Sequence, residues 1–401
     1  MKNQKNSKKE GNNQVQKNMK IWDFLKQRKW EFGLIVILII FMVGVSAWSI
    51  KVQSDYEHYN NEDVTYVKAK VIETDNTALE PDPIDSSRYN GIQYVKVQIL
   101  EGHLKGKEVD IENYLMSYAN VYVKPGMKVI VSVDQPEGTE PYCIIYNYYR
   151  SPYIYVMIAV LAGLMIWIGA AKGVRAFLGL GFCLFTVMML MLPMIYQGYS
   201  PVLASVLTVI ITTTASLLLL NGISKKTMAA VISTAAGVII AGIIFAIMSL
   251  ILKVSGYNMD ETEYMVLVAQ NTSLKVGEVL FAGILISALG AVMDVGMSIS
   301  SAVFELHEAN PKMKQSQLVK SGLNIGKDMV GTMSNTLILA FVGSCIGEML
   351  VLTSYGIKYN QFINSDFIAV EIGQGLSGTM AVILTVPVAS FVASYFCHKK
   401  L

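Results

Sequence analysis

Long apolar stretches fill most of the chain after residue 152 and also occur once near its start. A transmembrane helix needs about 20 mostly apolar residues, and eight stretches approach that length. The pattern predicts spans at Phe32–Ile50, Tyr153–Ala171, Ala176–Tyr196, Pro201–Leu220, Thr227–Leu252, Val276–Phe304, Met329–Thr353 and Phe367–Tyr395. Because only a few residues separate the second and third stretches, a helical hairpin is the alternative for that pair.

A different pattern lies between the first and second spans. Apolar and polar residues alternate in Val64–Ile72, Gln93–Ile99 and Val129–Val133, and Cys143–Tyr146 continues the series. Alternation of this kind is typical of strands with one buried face. About five short strands predict a small all-β domain of barrel type. The predicted division is therefore a basic tail 1–31, a first span 32–50, a β-domain 51–152 and a membrane domain 153–401 with about seven spans.

Composition agrees with a chain that is largely dissolved in lipid. The mean hydropathy is +0.45, with 53% apolar and 15% charged residues, whereas soluble domains carry about 25% charged residues. Only 24 of the charged residues follow residue 152. The four cysteines are scattered, and the sequence contains no Walker loop, HExxH motif or nucleophile elbow. We therefore expect that the protein is not an enzyme and that it has no cofactor, no metal site and no nucleic-acid partner.

The distribution of Lys and Arg predicts an orientation. The tail to Glu31 holds nine basic and three acidic residues, and eight crossings place the later basic clusters on the same side. Since cytoplasmic loops are enriched in Lys and Arg, both termini are expected in the cytoplasm of a bacterial cell, with the β-domain outside. Alternatively, Val45-Ser46-Ala47 resembles a signal-peptidase site, although the charged leader is long for a signal peptide.

One face of the sixth span carries polar residues at helical spacing. Asp294, Ser298, Ser301 and Glu305 are separated by four, three and four positions, so they share a face. At 1.5 Å per residue, Asp294 lies roughly 15 Å from Glu305 and close to the bilayer midplane. An ionisable residue there is costly and points to function. The prediction is a proton- or cation-coupling carboxyl; the alternative is a structural acid that hydrogen-bonds within the helix packing.

The seventh and eighth spans also carry polar faces. Since none of the three can turn such a face to lipid, we expect them to face one another. Whether the carboxyl on the eighth span lies at a helix interface or in a pore is left open. The predicted proton- or cation-coupling set is Asp294, Ser298, Ser301, Asn335, Thr336 and Glu371. The predicted helix-packing set is Gly290, Gly296, Gly375, Gly378 and Pro387. A short helix on the inner surface is predicted at 316–323.

These motifs resemble a known family. The stretches Gly290–Ser301, Gly326–Ala340 and Glu371-Ile372 with the glycines that follow resemble the YibE/F family of bacterial membrane proteins, over about residues 150–396. That resemblance implies a membrane protein with an N-terminal span and an outside domain, and it implies no substrate.

There is also a weaker similarity in the order and spacing of residue types. It relates Val292–Val295 and Val303–Asn310 to the fourth helix of SecF-type proteins. The RND-related plan of those proteins uses a proton gradient to move an outside domain. His307 departs from it, because it stands where that helix carries a basic residue, and three extra spans precede the similar part of the chain.

Together these observations predict a secondary membrane transporter, or a membrane machine driven by a proton or cation gradient, with an intramembrane Asp as the coupling site. Its expected partners are the lipid bilayer, a proton or small cation, and a protein at the outside domain. The alternative is a non-catalytic scaffold or accessory protein whose outside domain binds that partner.

Overall fold

A computed structural model of the protein describes residues 29–54, 64–135 and 139–399. Most of the predicted basic tail, 1–28, therefore lies outside the described residues. The chain divides into two compact units, one of residues 57–164 and the other of residues 1–56 and 165–401.

The first unit is a β-domain built on one antiparallel sheet. Its strands are β1 (Val64–Asp75), β2 (Leu79–Pro81), β3 (Tyr89–Ile99), β4 (Glu108–Leu115), β5 (Lys128–Asp134) and β6 (Tyr142–Tyr148). They pair in the order β2-β3-β1-β5-β6, and β4 also pairs with β3. The strand prediction is thus confirmed. Among the described strands no pairing joins β4 to β6, so the sheet is a half-barrel, and a complete barrel is not confirmed.

Alternation along the strands builds the core of this sheet. Val71, Val97, Ile99, Val129 and Val131 are all fully buried, because successive strand residues point to opposite faces. The same face also holds one fully buried amide side chain, which belongs to Gln93 in β3.

The second unit is helical. Its elements, numbered with the helix that enters it from the β-domain, are α1 (Lys29–Ser54), α2 (Ser151–Thr186), α3 (Leu192–Tyr196), α4 (Pro201–Asn221), α5 (Lys225–Leu252), α6 (Thr262–Asn271), α7 (Val276–Ala309), α8 (Gln315–Ser344), α9 (Ile346–Ser354), α10 (Tyr359–Ile363) and α11 (Asp366–His398). Within the described residues, six helical runs are long and apolar enough to span a membrane, and the bent pair of α8 and α9 makes a seventh.

The count of eight predicted spans differs because of one region. The predicted second and third spans lie in one helical stretch, Ser151–Tyr196, which counts as one run but contains two helices that meet at a kink. The run is broken at Ala170, whose φ of 45° and ψ of −127° are not helical. Three residues later, Gly173 approaches the Met165 carbonyl so closely that a Cβ at residue 173 would overlap it.

The inner-surface helix predicted at 316–323 is not a separate element. These residues form the start of α8, which continues to Ser344 without interruption and then meets α9 at an angle of 54°. The apolar residues Leu318, Met329 and Met333 lie on the packed side of α8, so one continuous apolar stripe favours one continuous helix.

Helices α5, α7 and α11 form the centre of the unit, and α8 packs mainly on α11. Small residues bring the axes close together. A Cβ on Gly322 of α8 would lie 2.7 Å from Ser390 Oγ and 3.0 Å from Val303 Cγ2. Small residues at helix interfaces allow this approach in membrane proteins. Helix α11 continues through Pro387 to His398.

Candidate functional site

Asp294 lies near the middle of α7, on the side that faces away from the helix core. The opposite side of α7 carries Val292, Val295 and Ile299, which are fully buried. Asp294 and Ser298 are exposed, and Ser301 is half-buried. The predicted polar face is therefore confirmed as one side of a helix. The side of α7 that packs into the core is an apolar stripe, as expected for an amphipathic helix.

The Asp294 carboxyl group has no hydrogen bond or ion pair with any residue that the structure describes. In particular, it accepts no hydrogen bond from the hydroxyl groups of Ser298 and Ser301 or from the Asn335 amide. Thr336 Oγ1 donates to the carbonyl of Thr332 in its own helix, at 2.9 Å. The coupling residues proposed from the sequence are thus not joined into one hydrogen-bonded site in this chain.

Helix α8 repeats the arrangement of α7. Its apolar residues, among them Val330 and Leu337, pack against the core, whereas Thr332, Asn335 and Thr336 are exposed. The structure therefore does not bring the three polar faces together, as the sequence led us to expect. The physical reason is that close packing between membrane helices depends on small side chains at the contact, and Gly296 and Gly322 provide these contacts on the packed sides of α7 and α8.

The predicted packing glycines take different places. A Cβ on Gly296 would lie 2.9 Å from Thr234 Oγ1 in α5, and one on Gly375 would lie 3.4 Å from the Phe341 ring. Gly378 is looser, with Ala288 Cβ at 3.9 Å, and nothing among the described residues lies within 4 Å of a Cβ at Gly290. Pro387 is exposed within α11.

Glu371 of α11 lies apart from the α7 face, at an apolar cavity between α8, α9, α10 and α11. The cavity has a volume of about 370 Å³. The Oε2 atom of Glu371 is buried and accepts no hydrogen bond from the described residues. The remaining walls are apolar and include the side chains of Phe341, Met349 and Phe362.

Sequence reasoning found Glu371 but not the cavity. The lining residues Phe341 and Met349 belong to α8 and α9, and Phe362 belongs to the five-residue helix α10. No periodicity links residues on such short, separately oriented elements. Among the described residues, no group of three or more His, Cys, Asp or Glu side chains is placed to hold a metal ion.

The long apolar helices and the polar face on α7 define a polytopic helical membrane protein with a separate β-domain. The chain belongs to the YibE/F-like family: the family model described as YibE/F-like protein matches residues 157–399. No match was found among curated proteins or among solved structures. The matched segment contains Asp294 and Glu371, and it begins after the last strand of the β-domain.

Proposed function

We propose that the protein is a secondary membrane transporter, or a membrane machine driven by a proton or cation gradient, and that Asp294 is its coupling group. One observation carries this proposal. A carboxyl group lies near the midpoint of a 34-residue apolar helix without a partner among the described residues. Placing an ionisable group at such a depth is costly, and such residues mark ion pathways and proton relays.

The position of Asp294 suits reversible protonation. Its exposed side of α7 leaves the carboxyl oxygens open to an incoming proton or cation, whereas a packed acid would first need helix separation. The Ser298 hydroxyl lies one helical turn away on the same face and would supply a further oxygen ligand. Ser301, Asn335 and Thr336 would add hydrogen bonds when α7 and α8 rearrange.

The orientation belongs to the same proposal. The basic residues Lys225 and Lys226 start α5, and Lys312, Lys314 and Lys320 surround the start of α8. By the positive-inside rule these ends are cytoplasmic. With the helices on either side of Ala170 counted as two spans beside the other six, the crossings number eight, and both termini lie on the same side of a bacterial cell membrane. The β-domain then lies outside, where it would follow movements of the membrane helices.

The test compares variants in liposomes that carry a pH gradient, with an entrapped pH-sensitive dye. The native protein is expected to dissipate the gradient when Na⁺, K⁺ or an organic cation is supplied on the opposite side. Asp294→Asn should abolish this flux, and Asp294→Glu should restore part of it. Glu305→Gln, which removes a carboxylate from the same exposed face nearer the helix end, is the control and should retain flux.

Thermal unfolding in detergent separates this effect from misfolding. A native unfolding temperature with lost flux supports the coupling role. Undiminished flux in Asp294→Asn, or a loss matched by an equal loss of folded protein, contradicts it. Sensitivity of a deletion strain to metal ions or metabolites then narrows the substrate.

A second candidate function is a scaffold whose β-domain binds a protein partner. The observation that favours it is a group of exposed apolar and aromatic residues on β1 and β6, the two strands that flank β5. The rings of Tyr66 and Tyr146 pack at a centroid distance of 4.9 Å, and both remain exposed beside exposed Ile144 and Tyr142. Aromatic residues of this kind dominate protein interfaces. Unchanged flux in Asp294→Asn, with loss of complex formation in Tyr146→Ala, would favour the scaffold.

A further inference from the structure

The cavity beside Glu371 has the dimensions and walls of a ligand site. Its volume of about 370 Å³ falls within the range of about 300–1,000 Å³ found for small-molecule pockets. Such pockets are mostly apolar and contain few polar groups, which fix the orientation and charge of the ligand. The single charged side chain among the lining residues is Glu371.

Glu371 has no neutralising partner among the described residues. Its Oε2 atom is buried without a hydrogen bond, and the lining residues include no Lys, Arg or His. The other carboxylate that acts electrostatically on Glu371 is that of Asp260, which has the same charge. Leaving a buried carboxylate oxygen without a partner is costly, so the site favours a species that brings positive charge to the half-buried Glu371.

The walls suit the apolar part of such a species. Two aromatic rings, Phe341 and Phe362, line the cavity together with the Met349 thioether. Aromatic faces attract organic cations through the ring quadrupole. Methionine adapts to ligands of irregular shape. An inorganic cation would find one carboxylate and few other oxygen ligands, and it would lose its hydration shell without replacement.

We propose that this cavity binds an amphiphilic organic cation, with the positive charge at Glu371 and the hydrocarbon body against Phe341, Met349 and Phe362. The charge complementarity favours this ligand over a neutral lipid chain, which would fill the apolar space and leave the carboxyl group without a partner. Binding does not depend on the coupling role of Asp294. That the bound cation is also the transported substrate rests on the proposed function.

The test measures equilibrium binding to the full-length protein in lipid nanodiscs, without flux. The probes are tetraphenylphosphonium and the uncharged triphenylphosphine oxide. The native protein is expected to bind the cation saturably and more tightly than the neutral probe. Glu371→Gln should weaken binding of the cation by about tenfold or more, because a charge-assisted contact is lost. Binding of the neutral probe should change little.

The matched control is Glu348→Gln. This exposed residue of α9 neighbours the cavity residue Met349 but does not line the cavity, so the same loss of charge there should leave binding unchanged. A variant of the wall, Phe341→Leu, should weaken binding of both probes. Equal affinity for the two probes would show a lipid-filled groove and overturn the proposal, as would native cation affinity in Glu371→Gln.

A second measurement uses the native chain and so avoids any variant that fails to fold. A hydrophobic carbodiimide modifies carboxyl groups in apolar surroundings, and peptide mass analysis locates the product. Tetraphenylphosphonium should slow modification of Glu371, and triphenylphosphine oxide should not. Unchanged modification of Glu371 at saturating cation would contradict binding there. Loss of flux in Asp294→Asn is a separate readout, so the two proposals fail independently.

Discussion

Gly296 of α7 lies directly against Thr234 of α5: a Cβ at residue 296 would be 2.9 Å from the Thr234 hydroxyl oxygen. This contact lies two residues from Asp294 and on the packed side of the helix. Close approach of α5 and α7 therefore fixes the rotation of α7, and that rotation turns Asp294 outward.

Gly296→Leu should consequently lower the free energy of unfolding by about 1–3 kcal/mol, because overpacking forces the helices apart. The measurement is thermal unfolding in detergent. Gly290→Leu is the matched control in the same helix, since nothing among the described residues lies within 4 Å of a Cβ there. Equal destabilisation by both variants would show that the α5–α7 contact is not the limiting feature.

The break in α2 gives a second pair of glycines. Gly173 follows the non-helical residue Ala170 and approaches the Met165 carbonyl. Gly173→Ala should destabilise the protein by about 1–3 kcal/mol, since a buried methyl group has no space. Gly169→Ala should be neutral or stabilising, because its surroundings are open and Ala favours helix. Comparison of their unfolding temperatures checks the prediction, and a stable Gly173→Ala variant would contradict the bend.

The β-domain contains a carboxylate held by hydrogen bonds. Asp82, which is 3% exposed, accepts one from the Ser117 hydroxyl at 2.5 Å and one from the backbone N–H of Ile84 at 2.7 Å. These bonds lower the pKa of Asp82 to about 2, from an ordinary value of 3.8. Hydrogen bonds to the charged form have this effect.

A carboxyl group whose pKa is lower in the folded state than in the unfolded state stabilises the fold at pH values above the unfolded pKa. This stabilisation is lost as the pH falls through the folded pKa. The contribution of Asp82 should therefore be complete above about pH 4 and disappear towards pH 2. Asp82→Asn should reduce the pH dependence of β-domain unfolding over that interval, as followed by circular dichroism of the full chain. Asp110→Asn, at an exposed position on β4, should retain it. A native pH profile in Asp82→Asn would contradict the assignment.

Gln93 holds a buried polar network in the β-domain. Its Nε2 donates to the carbonyl of Val123 at 2.8 Å, and its Oε1 accepts from Asn113 Nδ2 at 3.1 Å. Gln93→Leu should cost about 1–3 kcal/mol for each buried group left without a partner. Faster amide exchange across β3 is the expected readout. Gln98→Leu, at a half-buried position of the same strand, should leave exchange near native; if it speeds exchange as much, the network is not the cause.

Much of the secondary structure follows from sequence pattern alone. The apolar stretches of α4, α5, α7 and α11 and the alternating patterns of β1 and β3 are long. Uncertainty about where each element ends therefore does not change which type of element is predicted. The break at Ala170 lies one residue from the predicted end of the second span, but its sharpness and the bend between α8 and α9 could not be predicted, because they depend on contacts made elsewhere in the chain. Gly173, for example, is ordinary in sequence, and only the nearby Met165 carbonyl makes it necessary.

The sequence by itself determined the membrane class, the family and the placement of Asp294, Ser298 and Ser301 on one face, because helical periodicity fixes the angles between residues on a helix. Only the tertiary structure decided where that face points and what surrounds Glu371. Those features depend on the rotation of each helix about its axis, which is set by contacts such as Gly296 against Thr234 between segments far apart in the chain. Asp294 and Glu371 stand out in the sequence because the membrane part of the chain has few charged residues. Their surroundings differ: Asp294 lies on an open helix face and Glu371 lies at an apolar cavity.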